Sequence, residues 1–158
     1  MNNIRVLIVC TANICRSPMA EAMLKSRLKL LDLDKFIFVD SAGTHATSKG
    51  KDPDPRSRQV LLNNKVDIRS SGSRLLNKED FEVSDYILVM DRNNYDHLIS
   101  RCPEHHRNKI SYIMKYAESP DSLEVPDPYF GNISGFNRVF DMLDQALGGF
   151  LIALRDRI

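Results

Sequence analysis

"IRVLIVCTANICRSPMAEAMLKSRLKLL", Ile4 to Leu31, decides the fold. Ile4–Val9 is a short apolar run, interrupted only by Arg5 and rich in β-branched residues, as expected of a strand buried on both faces. From Ser17 the pattern changes period: Met19, Met23, Leu24, Leu28 and Leu31 recur at helical spacing. Ser17 is the expected N-cap, Pro18 fits the first helical position, and Glu21 complements the helix dipole. The stretch therefore predicts a buried strand, a tight loop and a helix.

Downstream the alternation continues. "FIFVDSAG" predicts a second strand ending near Asp40, with Gly43 opening a loop. "TSKGKDPDPRS" is a Gly/Pro/Asp-rich connection, and a helix is expected from about Pro55. "NKEDFEVS" predicts a short helix capped by Asn77, "DYILVMD" a third strand, "RNNYDHLISRC" a helix and "NKISYIM" a fourth strand. Residues 115–131 look irregular, with prolines at 120, 126 and 128. Loops of that length inside a compact domain are often functional. A long helix closes the chain, about Ile133 to Arg157, with Phe136, Val139, Phe140, Leu143, Leu147, Phe150, Leu151 and Leu154 as its apolar stripe. The expected fold is α/β: one three-layer domain over residues 1–158, a four-stranded parallel sheet with helices on both faces. In such sheets ligands bind beyond the C-terminal strand ends, where the winding reverses.

Composition narrows the function. The 158 residues are 42% hydrophobic and 27% charged with a formal net charge of +1, which suits a soluble globular domain and gives no bulk attraction to nucleic acid or an acidic membrane. The opening apolar run is too short for a signal-peptide core or a membrane span, so the expected compartment is the cytoplasm. Three cysteines form no disulfide framework there, and no Cys/His set has zinc spacing, so no metal is expected. His105 and His106 sit in polar surroundings and read as a solvated loop.

Five residues separate Cys10 from Arg16, namely Thr11, Ala12, Asn13, Ile14 and Cys15, and Ser17 follows. Backbone N–H groups leading into a helix N-terminus form an anion site. Arg16 adds a planar, charged fork for phosphate oxygens. A cysteine at the start of that ring feels the same positive field, which favours its thiolate. Phosphoryl transfer to sulfur also needs an acid for the leaving oxygen. Asp127, held between Pro126 and Pro128, is the candidate, and Tyr129 and Phe130 are placed to flank an aromatic leaving group. Taken without the cysteine loop, "VPDPYFG" would read as a Pro-rich turn stapled by two aromatics.

"VCTANICRSP", "DSAGT", "DPR" at Asp54–Arg56, "DYILVMD" and "DPYFG" occur in the order seen in the low molecular weight protein tyrosine phosphatases, which the sequence resembles over nearly its whole length. The resemblance implies a metal-free, cofactor-free hydrolase of phosphotyrosine proteins or aryl phosphates that releases inorganic phosphate. It implies Cys10 as nucleophile through a phosphocysteine, Arg16 as phosphoryl ligand, and Asp127 as acid and then base. Ser17 would hydrogen-bond the sulfur, Asn13 would hold the loop with Ser41 in support, and Cys15 would pair with Cys10 under oxidation. Tyr129 and Phe130 would serve substrate binding or a weak homodimer. Two positions depart from relatives: Thr47 where many carry an aromatic, and Ser71 or Gly72 where a histidine often precedes the arginine matched by Arg74. That histidine partners the aspartate matched by Asp91. Thr11 is a further influence on substrate choice. Two other readings use the same scaffold. Arsenate reduction needs a thiol relay that the lone Cys102 does not supply, and the loop here is "NICRSP" where those reductases have "NSCRS". A phosphate-reading protein without turnover would not need both Cys10 and Asp127.

Overall fold

Strand β1 (Ile4–Cys10) is the hinge of the architecture. Its even residues Ile4, Val6, Ile8 and Cys10 pack into one core cluster and Leu7 and Val9 into the other, so both faces are covered. The computed structural model describes residues 3–46, 48–69 and 72–158. After β1 come α1 (Arg16–Leu30), β2 (Ile37–Gly43), α2 (Pro55–Asn63), α3 (Lys78–Val83), β3 (Tyr86–Val89), α4 (Arg92–Arg101), β4 (Ile110–Tyr112) and α5 (Ile133–Arg155), with 3-10 turns at Glu104–Lys109 and Ile113–Tyr116.

All strand pairs are parallel, in the order β2-β1-β3-β4. Helices α1, α2 and α5 bury their apolar faces in the cluster under one side of the sheet. Phe81 of α3 and Leu98 of α4 fill the other. The chain leaves β1 toward β2 on one side and later returns to β3 on the other, so the winding reverses at the C-terminal end of β1. A crevice opens there in doubly wound sheets, and Cys10 stands at its edge.

Several boundaries differ from expectation for local reasons. The N-cap of α1 is Cys15, without a side-chain cap, because the Ser17 hydroxyl turns inward to Cys10 and Asn13. Pro18 is thus the third helical residue. No acidic residue lies in the first turn, and Glu21 instead accepts from Ser41 and pairs with Lys25. Leu31 is exposed: the helix has ended, and Asp32 turns the chain at φ +57°. Strand β2 runs past Asp40 to Gly43, which pairs with Cys10. Strand β4 stops at Tyr112, and Ile113 and Met114 enter the core from a 3-10 turn. One cap falls on its expected residue, Asn77, which makes a reciprocal capping box with Asp80; helix α2 starts at Pro55 as expected and is capped by Asp54. His105 is exposed, within the 3-10 turn rather than a loop. Thr47 and Ser71 lie outside the described residues.

Helix α5 seats Phe136, Leu143, Leu147 and Phe150 against the sheet. It approaches the 3-10 turn closely at Gly149, where a Cβ would lie 1.8 Å from the Tyr116 carbonyl oxygen. The packed helix anchors the far end of the irregular segment that carries Asp127.

Candidate active site

Residues 11–15 curl from the end of β1 into α1. Asn13 takes the left-handed conformation, φ +59°, which asparagine tolerates better than most residues. Four carbonyls of residues 10–15 are engaged: Cys10, Thr11 and Ile14 accept from the backbone N–H groups of Thr44, His45 and Asp54, and Cys15 accepts from Met19 and the Ser57 hydroxyl. The N–H groups of Ala12 to Cys15 donate to no other described residue. With the first N–H groups of α1 they form a concave run of donors, the arrangement that binds an oxyanion. Gly43 permits the curl: a Cβ there would lie 2.5 Å from the Thr11 carbonyl oxygen.

Asn13 holds this shape from the inside. Its Nδ2 donates to Ser17 Oγ at 2.7 Å and Ser41 Oγ at 3.0 Å, and its Oδ1 accepts from the Arg74 N–H at 3.1 Å. Because Ser17 Oγ accepts from Asn13, its own hydrogen is free for Cys10 Sγ, 3.0 Å away. Ser41 in turn donates to Glu21. A chain of hydrogen bonds thus links Glu21, Ser41, Asn13 and Ser17 to the Cys10 sulfur, and Ser17 is its donor when the sulfur is ionised.

Arg16 is 2% exposed, and its charge is met on several sides. Nη1 donates to Asp91 Oδ2 at 2.6 Å and to the Val125 carbonyl at 2.9 Å. Nη2 donates to Thr11 Oγ1 at 3.2 Å and lies 3.8 Å from Asp127 Oδ2. Burial opposes the charge, but Cys10, Asp91 and Asp127 more than offset it and hold the guanidinium above its ordinary pKa. Asp91 also caps α4 by accepting from the Asn94 N–H.

Asp127 Oδ1 accepts from the Tyr129 N–H at 3.1 Å. Its side chain is 43% exposed, so the carboxylate faces solvent from the rim while Arg16 sits below. Tyr129 and Phe130 form an edge-to-face pair at 5.0 Å, with Phe130 92% exposed. A cavity of about 390 Å³ runs behind this rim, between Asp91, Asp127 and Met142. Ala12 is exposed on the loop crest, whereas Ile14 and Cys15 are core residues. Burial, with Asp54, Cys10 and Asp127 nearby, pushes the Cys15 thiol up to about 12 against the pull of Arg56. Cys102 belongs to the opposite core cluster, across the sheet from Cys10 and Cys15, and burial raises its thiol as well.

A family model described as low molecular weight phosphotyrosine protein phosphatase matches residues 5–157. The chain belongs to that family. The phosphatase of that name from Schizosaccharomyces pombe is 38% identical over 94% of this chain and 96% of its own length. A low molecular weight protein-tyrosine-phosphatase from Streptomyces coelicolor is 34% identical over 98% of this chain and 95% of its own. In structure, the protein tyrosine phosphatase of Entamoeba histolytica, solved with Hepes in its active site, superposes with a TM-score of 0.93 at 38% identity, covering 98% of both chains. The four-stranded parallel sheet and its helices are the fold of that family.

Sequence reasoning missed Asn94, which is 1% exposed. Its Nδ2 reaches Thr11 Oγ1 at 3.2 Å, while its Oδ1 has no partner among the described residues. The D-x-x-N spacing Asp91–Asn94 carried the only signal, a cap, with no hint of the loop 83 residues earlier. No group of three or more His, Cys, Asp or Glu side chains able to hold a metal occurs among the described residues. None of their helices is long and apolar enough to cross a membrane.

Proposed function

We propose that the protein hydrolyses phosphotyrosine and related aryl phosphate monoesters through a phosphocysteine. The Cys10 thiolate attacks phosphorus, the P–O bond to the aryl group breaks, and Asp127 gives the departing phenoxide a proton. Water then attacks the phosphocysteine, Asp127 takes a proton from it, the S–P bond breaks, and inorganic phosphate leaves. Loop N–H groups and Arg16 carry the charge on the equatorial oxygens in both steps, the largest electrostatic contribution to such a reaction. Ser17 stabilises the sulfur as it leaves in the second. Tyr129 and Phe130 wall the aryl ring, and their exposure lets a phosphotyrosine on a protein surface enter. We place the reaction in the cytoplasm, where reductants keep the three unpaired cysteines as thiols.

The observation that carries this reading is the alignment of Cys10 Sγ and the Ser17 hydroxyl under the donor ring, with Arg16 held alongside. A redox relay is disfavoured by Cys102, which lies buried on the other face of the sheet. The wild type should turn over p-nitrophenyl phosphate and phosphotyrosine in the presence of a chelator and be inhibited by vanadate. Cys10→Ser should abolish turnover while still binding vanadate. Measurable steady-state hydrolysis by that variant would overturn the assignment.

A further inference from the structure

The Asp54–Arg56 motif has no part in the chemistry above, yet its side chains sit between the two loops that do. Arg56 Nη2 donates to the Tyr129 carbonyl and Nη1 to the Gly131 carbonyl, both at 2.9 Å. Nε and Nη2 also grip the two oxygens of Asp54, at 3.0 and 2.9 Å. The guanidinium plane lies over the Phe136 ring at 4.3 Å and the Tyr129 ring at 5.7 Å. All three nitrogens of the fork are thereby engaged, and the cation is stacked on Phe136 of α5. The same short segment holds the phosphate-binding loop: the Asp54 N–H donates to the Ile14 carbonyl at 2.7 Å, and Ser57 Oγ to the Cys15 carbonyl at 3.2 Å.

We propose that Arg56 is a positioning residue for the general acid, fixing Asp127 over the Cys10 loop by clamping the residue whose N–H orients its carboxylate. The link is one residue long. Tyr129 uses its N–H to hold Asp127 Oδ1 and its carbonyl to accept from Arg56. The two groups lie in adjacent peptide planes joined at the Tyr129 Cα, so freeing that carbonyl lets Tyr129 shift and with it the N–H that aims the acid. The acid rim has few other tethers: Val125 donates to Met90 and accepts from Arg16, and Gly131 N–H returns to Pro128 within the loop. Asp54 keeps the fork in plane, and the Arg56 guanidinium holds the Asp54 carboxyl below its ordinary range. Lysine cannot replace this arginine, because a single ammonium cannot span two carbonyls and a carboxylate from fixed directions.

Clamping predicts a loss that depends on how much the leaving group needs a proton. This inference rests on Asp127 being the acid, so the experiment carries that control within it. The kcat/KM of wild type, Arg56→Lys, Asp127→Asn and the double variant is measured on 2,4-dinitrophenyl phosphate, whose leaving group departs unprotonated, and on phenyl phosphate, whose leaving group does not. Asp127→Asn should lose activity selectively on phenyl phosphate. Arg56→Lys should lose about 10-fold or more on phenyl phosphate, since small misplacements of reacting groups carry costs of that order. It should change less than about twofold on the dinitrophenyl ester and in its vanadate inhibition constant, which leave the acid out. On phenyl phosphate the double variant should be no slower than Asp127→Asn alone, because the clamp acts through that side chain.

Equal losses on both esters, weakened vanadate binding, or additive losses in the double variant would overturn the proposal and assign Arg56 to the phosphate loop or to general stability. If Asp127→Asn itself shows no leaving-group dependence, the acid assignment fails, and the clamp with it. Asp54→Asn, which keeps a capping oxygen but takes the charge from the fork, should move activity in the same selective direction by a smaller factor. An Arg56→Lys that does not fold leaves this variant to decide the matter.

Discussion

The two loops that meet at the site are held by opposite means. Residues 10–17 are braced from within: Asn13 is 3% exposed and bonds to three partners, and Ile14, Cys15 and Arg16 are buried. Residues 125–131 lie over them as a strap, exposed except at Val125 and Pro128 and fastened by Arg16, the Met90 carbonyl and the fork of Arg56. An oxyanion cradle must be rigid before substrate arrives, because its value lies in donors that need no rearrangement. A group that serves first as acid and then as base needs an open side, where the leaving group departs and water enters, and only enough restraint to stay aimed. Changes in the first loop should therefore cost stability and chemistry together, and changes in the second chemistry alone.

Asp127→Asn is the sharpest way to break that contrast. Removing a positioned acid costs about 10²–10⁴-fold in rate, so kcat/KM on phosphotyrosine should fall within that span. Folding stability, read by urea denaturation, should stay within about 0.5 kcal/mol of wild type, as for other exposed side chains. A large stability loss would mean that the strap is structural and that the division drawn above is wrong.

Gly43→Ala tests the other side. Its Cβ would press on the Thr11 carbonyl at 2.5 Å and the Ala12 carbonyl carbon at 3.1 Å, both in the cradle. Overpacking of this kind costs about 1–3 kcal/mol. The variant should unfold at lower urea and bind vanadate more weakly. Gly149→Ala, whose Cβ would meet the Tyr116 carbonyl oxygen at 1.8 Å, should lose stability without weakening vanadate binding. Similar vanadate affinities in the two variants would show that the cradle does not depend on the backbone contact with β2.

The same contrast governs what the sequence made legible. Cys10, Arg16 and Ser17 are close in the chain, so the strand-loop-helix context is enough to bring them together. Asp127 is visible through its flanking prolines. Asn94 and the Arg56 clamp are not, because their contacts span 83 residues in one case and 73 and 75 in the other, and neither leaves a local pattern. Arg56 stands within a motif that the family resemblance picks out, yet its partners are backbone carbonyls, which carry no side-chain signature. Ser17 and Glu21 show the converse error. Each has the residue type that a helix start favours, and each is drawn inward by the buried chain through Asn13 and Ser41 to the sulfur. Local propensity loses wherever a buried polar partner would otherwise go unsatisfied.

The smallest expected effect concerns Cys15, the cradle residue turned into the core. Its thiol is pushed up to about 12, against an ordinary value of 9.0. Between those values the unfolded chain gives up this proton and the folded chain keeps it. The folded state then binds more protons, so stability falls as pH rises through that window, and the contribution is fully present below about 9. Wild type should lose about 2 kcal/mol more than Cys15→Ala between pH 8.5 and 10.5, taking about 1.4 kcal/mol per unit. Urea denaturation of both proteins at the two pH values measures the difference directly. Parallel slopes would mean that water reaches the Cys15 sulfur, which would make the underside of the cradle as open as the strap above it.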